Sequence, residues 1–198
     1  MTQCQLSRLA SQIQVLRPPE SRVVAHAILW IDTFCIPVQS VGDSLDVLRA
    51  QLKEKAIRWM APIYANAKGV LVLDSGLSTL SPHNISFTEL TAQLCISGWA
   101  SRAWTLQEGS LASRLCFQFR NESLFAYEGQ QRYDEALKIS LWNNSFDEHT
   151  QLLQDCRRAW FLPAVGRHES RETQFIDVWN SLIAKDTTKP DDLHEILA

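Results

Sequence analysis

Apolar and polar positions divide the chain into short unalternated apolar runs and longer segments with helical spacing. Two apolar runs of strand length, residues 25–31 and 70–73, show no alternation of apolar and polar positions. Strands with both faces covered have this pattern, which is typical of parallel sheets. We therefore predict a parallel sheet in which Ile28–Ile31 and Val70–Leu73 are neighbouring central strands, with a third strand over 115–119. Residues 124–127 could add a further strand.

Segments in which apolar residues recur at helical spacing separate these runs. It predicts helices over residues 4–16, 45–67, 87–96 and 104–112. In the longest of them, Pro62 should kink the helix or split it. We expect its core-facing stripe to be formed by Leu45, Leu48, Leu52, Met60, Ile63 and Ala67. We expect the outward positions to be Arg49, Lys53, Glu54 and Arg58. Strand, helix, strand, helices, strand is the order of an α/β layer.

The pattern changes after about residue 120. Segments near 131–142, 147–160 and 171–184 carry apolar residues at helical intervals, and no clear strand follows residue 130. We divide the chain into an α/β domain over 1–120 and a mainly helical extension over 121–198, although such helices could also pack on the sheet.

Composition places the chain among ordinary globular proteins. Of its 198 residues 45% are hydrophobic and 21% charged, and the net charge of −3 gives no basic footprint for nucleic acid. No apolar run is long enough to span a membrane, and the first residues lack a signal-peptide pattern. The five Cys residues show no C-x-x-C spacing, which suits a reducing compartment. The prediction is a soluble cytoplasmic protein with no metal site and neither nucleic acid nor membrane as a partner.

Two acidic residues follow the predicted strands directly. Asp32 ends the first apolar run and Asp74 the second. Ligands of open α/β sheets bind beyond the carboxyl ends of the strands, so these acids could form a polar site. Alternatively, each could cap a turn through its side-chain oxygens.

The helix over 104–112 places polar and aromatic residues on one face. Trp104, Gln107 and Glu108 are separated by helical spacing, and a buried polar group must be paired or functional. Glu108 could pair with Arg102 or Arg114, or serve as an acid in a cleft.

Other reactive residue types lack the arrangement that chemistry requires. Cys35 has no histidine in a recognisable position to act as its base, so it is better explained as a small buried apolar residue. The histidines have no metal-ligand spacing, and the isolated glycines form no phosphate-binding loop.

Three ordered motifs carry a resemblance to a known family. They are W-I-D-x-x-C-I at Trp30–Ile36, M-x-x-I-Y-x-x-A at Met60–Ala67 and R-x-W-T-L-Q-E at Arg102–Glu108. This pattern resembles the fungal heterokaryon incompatibility (HET) domain. Such domains usually begin with a strand similar to A-L-S-Y-x-W-G, and nothing similar precedes Cys4. The chain therefore resembles a HET domain that lacks its first strand.

The resemblance implies an incomplete three-layer α/β fold of the TIR-like or flavodoxin-like type. It also implies a module for nonself recognition and programmed cell death, which self-associates or binds a protein partner. No cofactor is expected. An alternative is NAD cleavage of the type that some TIR-like domains perform, in which NAD is the substrate. Glu108 with Trp104, or Asp32 with Trp30, would then supply a carboxylate and a stacking wall. A third alternative is a degenerate, non-functional fragment, because a missing strand leaves an exposed sheet edge.

If the motifs serve one site, Asp32 should lie in one crevice with the face formed by Trp104–Glu108, at the carboxyl edge of the sheet. We expect Trp30, Asp74, Arg102 and Gln107 to contribute binding contacts there.

Overall fold

The fold is given by a computed structural model. The structure describes residues 3–16, 28–37, 45–142, 148–157 and 160.

Helices make up most of the described chain. In chain order they are α1 (Gln3–Ile13, continued by a 3-10 turn, Gln14–Leu16), α2 (Asp32–Cys35), α3 (Asp46–Asn66), α4 (Phe87–Cys95), α5 (Gly98–Ser101), α6 (Thr105–Leu111), α7 (Ala126–Trp142) and α8 (Glu148–Asp155). A further 3-10 turn spans Leu77–Thr79. The strands are β1 (Val70–Val72), β2 (Leu115–Gln118) and β3 (Ser123–Phe125). The chain is therefore a mixed α/β protein, and the expected α/β alternation is confirmed from β1 to β2.

The three described strands form one mixed sheet in the order β1-β2-β3. β1 runs parallel to β2, with Val70 opposite Leu115, and the connection between them passes through α4, α5 and α6. β3 runs antiparallel to β2, with Phe117 opposite Leu124. The link between β2 and β3 is a short turn, and a parallel pairing would need a much longer crossover. The strand predicted over 115–119 is thus parallel to β1 as expected, and the prediction of a parallel sheet is wrong for β3.

The predicted strand at Ile28–Ile31 is also wrong. These residues form no ladder, Ile28 is fully exposed, and residues 25–27 of the predicted run lie outside the described chain. The carbonyl of Ile31 instead accepts hydrogen bonds from the amides of Phe34 and Cys35, which turns the chain into α2. A short apolar run does not distinguish a strand from other apolar segments. The neighbour of β1 in the sheet is β2.

The long helix α3 is continuous through Pro62 and is not split. Its buried face is formed by Met60 and Tyr64, whereas Leu45, Leu48 and Leu52, which we expected to face the core, are about half exposed. Arg49 and Lys53, which we expected to point outward, are half-buried, while Glu54 and Arg58 are exposed as expected. The error arises because α3 carries apolar residues on more than one face, so periodicity alone could not identify the face that packs.

The core lies where α3, α4 and α6 pack with the sheet. Its fully buried side chains include Leu90 and Leu94 of α4, Leu106 of α6 and Phe117 of β2. Because β2 is the central strand, all four of its residues are buried.

The region after residue 120 contributes to this core through Trp160. Its indole is fully buried, stacks on Phe87 and meets Phe117 edge-on, with ring centroids 5.7 Å apart in both pairs. Trp160 Nε1 donates a 2.9 Å hydrogen bond to Thr91 Oγ1 of α4. Helices α7 and α8 agree with the segments predicted near 131–142 and 147–160, and the helix predicted over 171–184 lies outside the described residues.

Candidate functional site

Asp32 is held at the start of α2 by two side-chain hydrogen bonds to one oxygen. Its Oδ1 accepts from Trp30 Nε1 at 3.0 Å and from the hydroxyl of Tyr64 at 3.1 Å. Its Oδ2 lies 3.9 Å from Nη2 of Arg102, and the Asp32 side chain is 32% exposed. This carboxylate is therefore reachable from solvent and has a cation beside it.

Tyr64 lies at the centre of these contacts, on the buried face of α3. Burial raises the pKa of its hydroxyl strongly, and the nearby negative charges of Glu108 and Asp32 raise it further. The guanidinium of Arg102 acts in the opposite direction on the same pKa. The phenol is therefore a neutral hydrogen-bond donor, and both predicted carboxylates act on it electrostatically.

Glu108 is buried in the first turn of α6. Its Oε2 accepts a 2.8 Å hydrogen bond from Trp99 Nε1, inside the core. Arg114, one of the two partners considered for Glu108, instead donates to the carbonyl of Leu16 and lies over the ring of Phe125. A buried carboxylate is stable only when hydrogen-bonded, and here an indole supplies that bond.

Asp74 caps the turn that follows β1. Its Oδ1 accepts from the amides of Gly76 at 2.8 Å and Leu77 at 3.0 Å, and its Oδ2 accepts from the amide of Trp99 at 2.9 Å. This agrees with the capping interpretation of strand-end acids. Glycine at position 98 suits this contact, because a Cβ there would come within 3.2 Å of Asp74 Oδ2.

A cavity of about 230 Å³ opens beside Asp74 at the carboxyl edge of β1 and β2. Its other lining residues are Arg8, Gln12, Leu73, Ser75, Ser78 and Gln118. A crevice thus exists at the expected edge of the sheet, and of the predicted site residues Asp74 lines it.

The structure connects most of the predicted site residues through two aromatic residues, Tyr64 and Trp99. Tyr64 contacts Asp32 directly and is acted on by Arg102 and Glu108, and Trp99 joins Glu108 to Asp74. We call this group the motif cluster; its members are Trp30, Asp32, Tyr64, Asp74, Trp99, Arg102 and Glu108.

The other two predicted site residues lie at the start of α6 and are not members of the motif cluster. Trp104 precedes the helix and is half-buried against the core, and Gln107 is buried. The convergence of all of Trp104–Glu108 on Asp32 stays a prediction, while the link from Glu108 through Tyr64 is present in the described structure.

Sequence reasoning assigned no role to Tyr64 or Trp99. Tyr64 is the tyrosine of the second motif, and Trp99 precedes the third, so a signal was present for both. Their role as connectors depends on the packing of α3, α5 and α6, which no local pattern specifies.

Within the described residues, no group of histidine, cysteine and acidic side chains could hold a metal ion. The described cysteines Cys35, Cys95, Cys116 and Cys156 are free thiols, and Cys35 is half-buried. Burial raises the pKa of the Cys116 thiol to about 12, with a smaller effect from Glu128, so this thiol is inert near neutral pH.

A comparison with protein-family models, curated proteins and solved structures found no match to this chain. In the part of the chain that the structure describes, no helix is both long and apolar enough to cross a membrane.

Proposed function

We propose that this chain is a HET-type interaction module that acts in the cytoplasm, in nonself-recognition signalling that leads to cell death. One observation supports this proposal above the others. The three motifs that carry the resemblance are far apart in sequence, and each contributes to the motif cluster: Asp32 from the first, Tyr64 from the second and Glu108 from the third.

The contacts of the cluster favour an interaction module over an enzyme. The Glu108 carboxylate is buried and accepts the Trp99 indole, and Asp74 accepts three amides. Groups bound in this way order the surrounding elements, and a surface of fixed shape is what a protein partner requires. We further propose that the described sheet is part of a TIR-like layered fold.

One observation favours the alternative of NAD cleavage. The Asp32 carboxylate is partly exposed, lies beside Arg102, and has the indole of Trp30 next to it. A carboxylate beside an aromatic wall could stabilise a developing cationic ribose. In this alternative Asp32, rather than the buried Glu108, is the acid that a substrate reaches.

The test is inducible expression of the chain in a filamentous fungus, scored by exclusion of a vital dye. We expect loss of viability with the parent and with Glu54→Gln, because Glu54 forms an exposed ion pair with Arg58. We expect no loss with Asp32→Ala or Tyr64→Phe, which open the motif cluster. Immunoblots and melting curves show whether each variant accumulates and folds.

Two results would contradict the proposal. One is full viability during accumulation of the folded parent chain. The other is nicotinamide release from NAD by the purified parent that Asp32→Asn abolishes without a change in melting temperature, since this would assign the cluster to catalysis.

A further inference from the structure

The exposed side of α3 carries a continuous apolar stripe. Its members are separated by three or four residues, the spacing that places them on one helix face. We call them the α3 stripe: Leu45, Leu48, Leu52, Ala56, Trp59 and Ile63.

Four large side chains of the α3 stripe are substantially exposed. Leu45 and Leu48 are each 50% exposed, Leu52 is 46% exposed and Trp59 is 56% exposed. A single exposed apolar residue is ordinary, but a contiguous apolar patch on a folded protein usually marks an interaction site. Tryptophan, the residue type at position 59, is among those enriched in the residues that dominate binding energy at interfaces.

A neighbouring face of the same helix is fixed by the motif cluster. Met60 and Tyr64 are buried, and the hydroxyl of Tyr64 is hydrogen-bonded to Asp32. The cluster therefore holds α3 in place with the stripe turned outward, so a partner does not have to order the helix on binding.

Charge around the α3 stripe distinguishes between partners. Lys55 borders the stripe on one side, between Leu52 and Trp59, and Arg49 borders it on the other. Along the whole of α3 the basic residues are Arg49, Lys53, Lys55 and Arg58, against the acidic residues Asp46 and Glu54. Of these, Glu54 pairs with Arg58 at 2.6 Å. A basic residue therefore stands on each border of the stripe, exposed at Lys55 and half-buried at Arg49.

A second copy of this chain fits the stripe poorly. Two α3 helices packed antiparallel would bring the Lys55 side of one against the Lys55 side of the other, and parallel packing would bring Lys55 against Arg49. Like charges placed across an interface weaken binding and select against that partner.

We infer that the α3 stripe is the docking surface for an amphipathic helix whose apolar face is bordered by acidic residues. This inference rests on the proposed function, since it names the class of partner that the interaction module takes. The partner helix places apolar side chains around Trp59 and its carboxylates against Lys55 and Arg49.

The probe is a fluorescent 21-residue alanine-based peptide, as long as α3, with leucines along one face and glutamates on both borders of that face. A matched peptide has lysines in place of the glutamates. We expect the parent chain to bind the glutamate peptide at least about tenfold more tightly in an anisotropy titration, with the difference shrinking as salt is raised.

Variants locate the binding. Trp59→Ala should weaken binding of the glutamate peptide by about tenfold or more, and Lys55→Glu should reduce the preference for it over the lysine peptide. Ile96→Ala is the matched control, because Ile96 is 74% exposed and lies outside α3. It should bind as the parent does.

Equal binding of the two peptides, or unchanged binding by Trp59→Ala with an intact melting curve, would overturn the inference. So would a dimer of the parent chain in light scattering that Trp59→Ala dissociates, because the occupant would then be a second copy. These outcomes are separate from those of the viability assay. Peptide binding by a chain that causes no loss of viability would support the docking surface and contradict the proposed function. Loss of viability without peptide binding would support the proposed function and contradict the docking surface.

Discussion

Trp99 Nε1 donates a 2.8 Å hydrogen bond to Glu108 Oε2 in the buried core. The two residues belong to α5 and α6, and the backbone amide of the same Trp99 donates a hydrogen bond to Asp74 Oδ2. One tryptophan therefore links the end of β1 to the helix that carries the third motif.

The Trp99–Glu108 bond predicts the effect of substituting Glu108. Glu108→Gln keeps an acceptor for the indole but loses the charge, and we expect the free energy of unfolding to fall by about 1–3 kcal/mol. Denaturant titration measures this loss. Glu54→Gln is the control, because its exposed ion pair should contribute less than about 1 kcal/mol.

A double-mutant cycle isolates the bond itself. Trp99→Phe removes the donor and Glu108→Ala removes the acceptor, so the costs of these two changes should not add when they are combined. Strictly additive costs would show that the bond contributes nothing and that Glu108 acts through other contacts.

Tyr64 predicts a loss of stability at high pH. Its raised pKa means that the folded chain holds the phenolic proton more tightly than the unfolded chain, in which the pKa is about 10. The contribution to stability is complete below pH about 10 and declines above it, by up to about 1.4 kcal/mol per pH unit. Denaturant titrations at several pH values measure this slope.

Tyr64→Phe should reduce this alkaline slope, although the variant loses the hydrogen bond to Asp32 at every pH. Tyr127→Phe is the matched control, since Tyr127 is 51% exposed. An alkaline slope that Tyr64→Phe leaves unchanged would mean that Tyr64 titrates as it does in the unfolded chain.

Three backbone amides donate hydrogen bonds to the Asp74 carboxylate, so removing it should lower the stability of the fold substantially. Asp74→Ala leaves the amides of Gly76, Leu77 and Trp99 without their acceptor, and we expect a loss of about 1–3 kcal/mol or more. Asp74→Asn should cost less, because one amide oxygen can replace Oδ1, while its NH₂ group would face the Trp99 amide. Thermal melting ranks the two variants, and equal melting temperatures for Asp74→Ala and the parent would contradict the capping role.

The close approach of Gly129 in α7 to Trp160 allows a steric test of the core packing. A Cβ at this position would overlap the six-membered ring of Trp160. Gly129→Ala should therefore destabilise the fold by about 1–3 kcal/mol, even though alanine is the better helix former. In a Trp160→Leu background, Gly129→Ala should lower the free energy of unfolding by less, or should raise it. Calorimetry of the four chains gives the comparison, and a stabilising Gly129→Ala in the parent would show that Trp160 does not pack there.

Local patterns predicted the elements whose periodicity or length was distinctive. Val70–Leu73 and Leu115–Phe119 were identified as strands, and α4 (Phe87–Cys95) closely matches the helix predicted over 87–96. The prediction of a strand at Ile28–Ile31 was wrong because a short apolar run shows no periodicity that identifies a strand. Its conformation is set by the backbone hydrogen bonds that the carbonyl of Ile31 accepts.

The candidate site was predicted less well than the elements. Sequence identified Asp32, Asp74 and Glu108 as the acids of interest, but not that Trp30, Tyr64 and Trp99 would supply their hydrogen bonds. These hydrogen-bond partners are determined by the packing of α3, α5 and α6. Because that packing depends on the whole fold, no local sequence pattern predicts it.

The burial of Trp160 has a consequence for the order in which the chain can acquire its structure. The indole bonds to Thr91 across 69 residues, and it covers Phe87 and Phe117. During synthesis, the strands and α4 leave the ribosome well before Trp160 does, at about 5–20 residues per second. For several seconds these phenylalanines lack their cover, and a chaperone that binds apolar segments would meet the nascent chain in that interval.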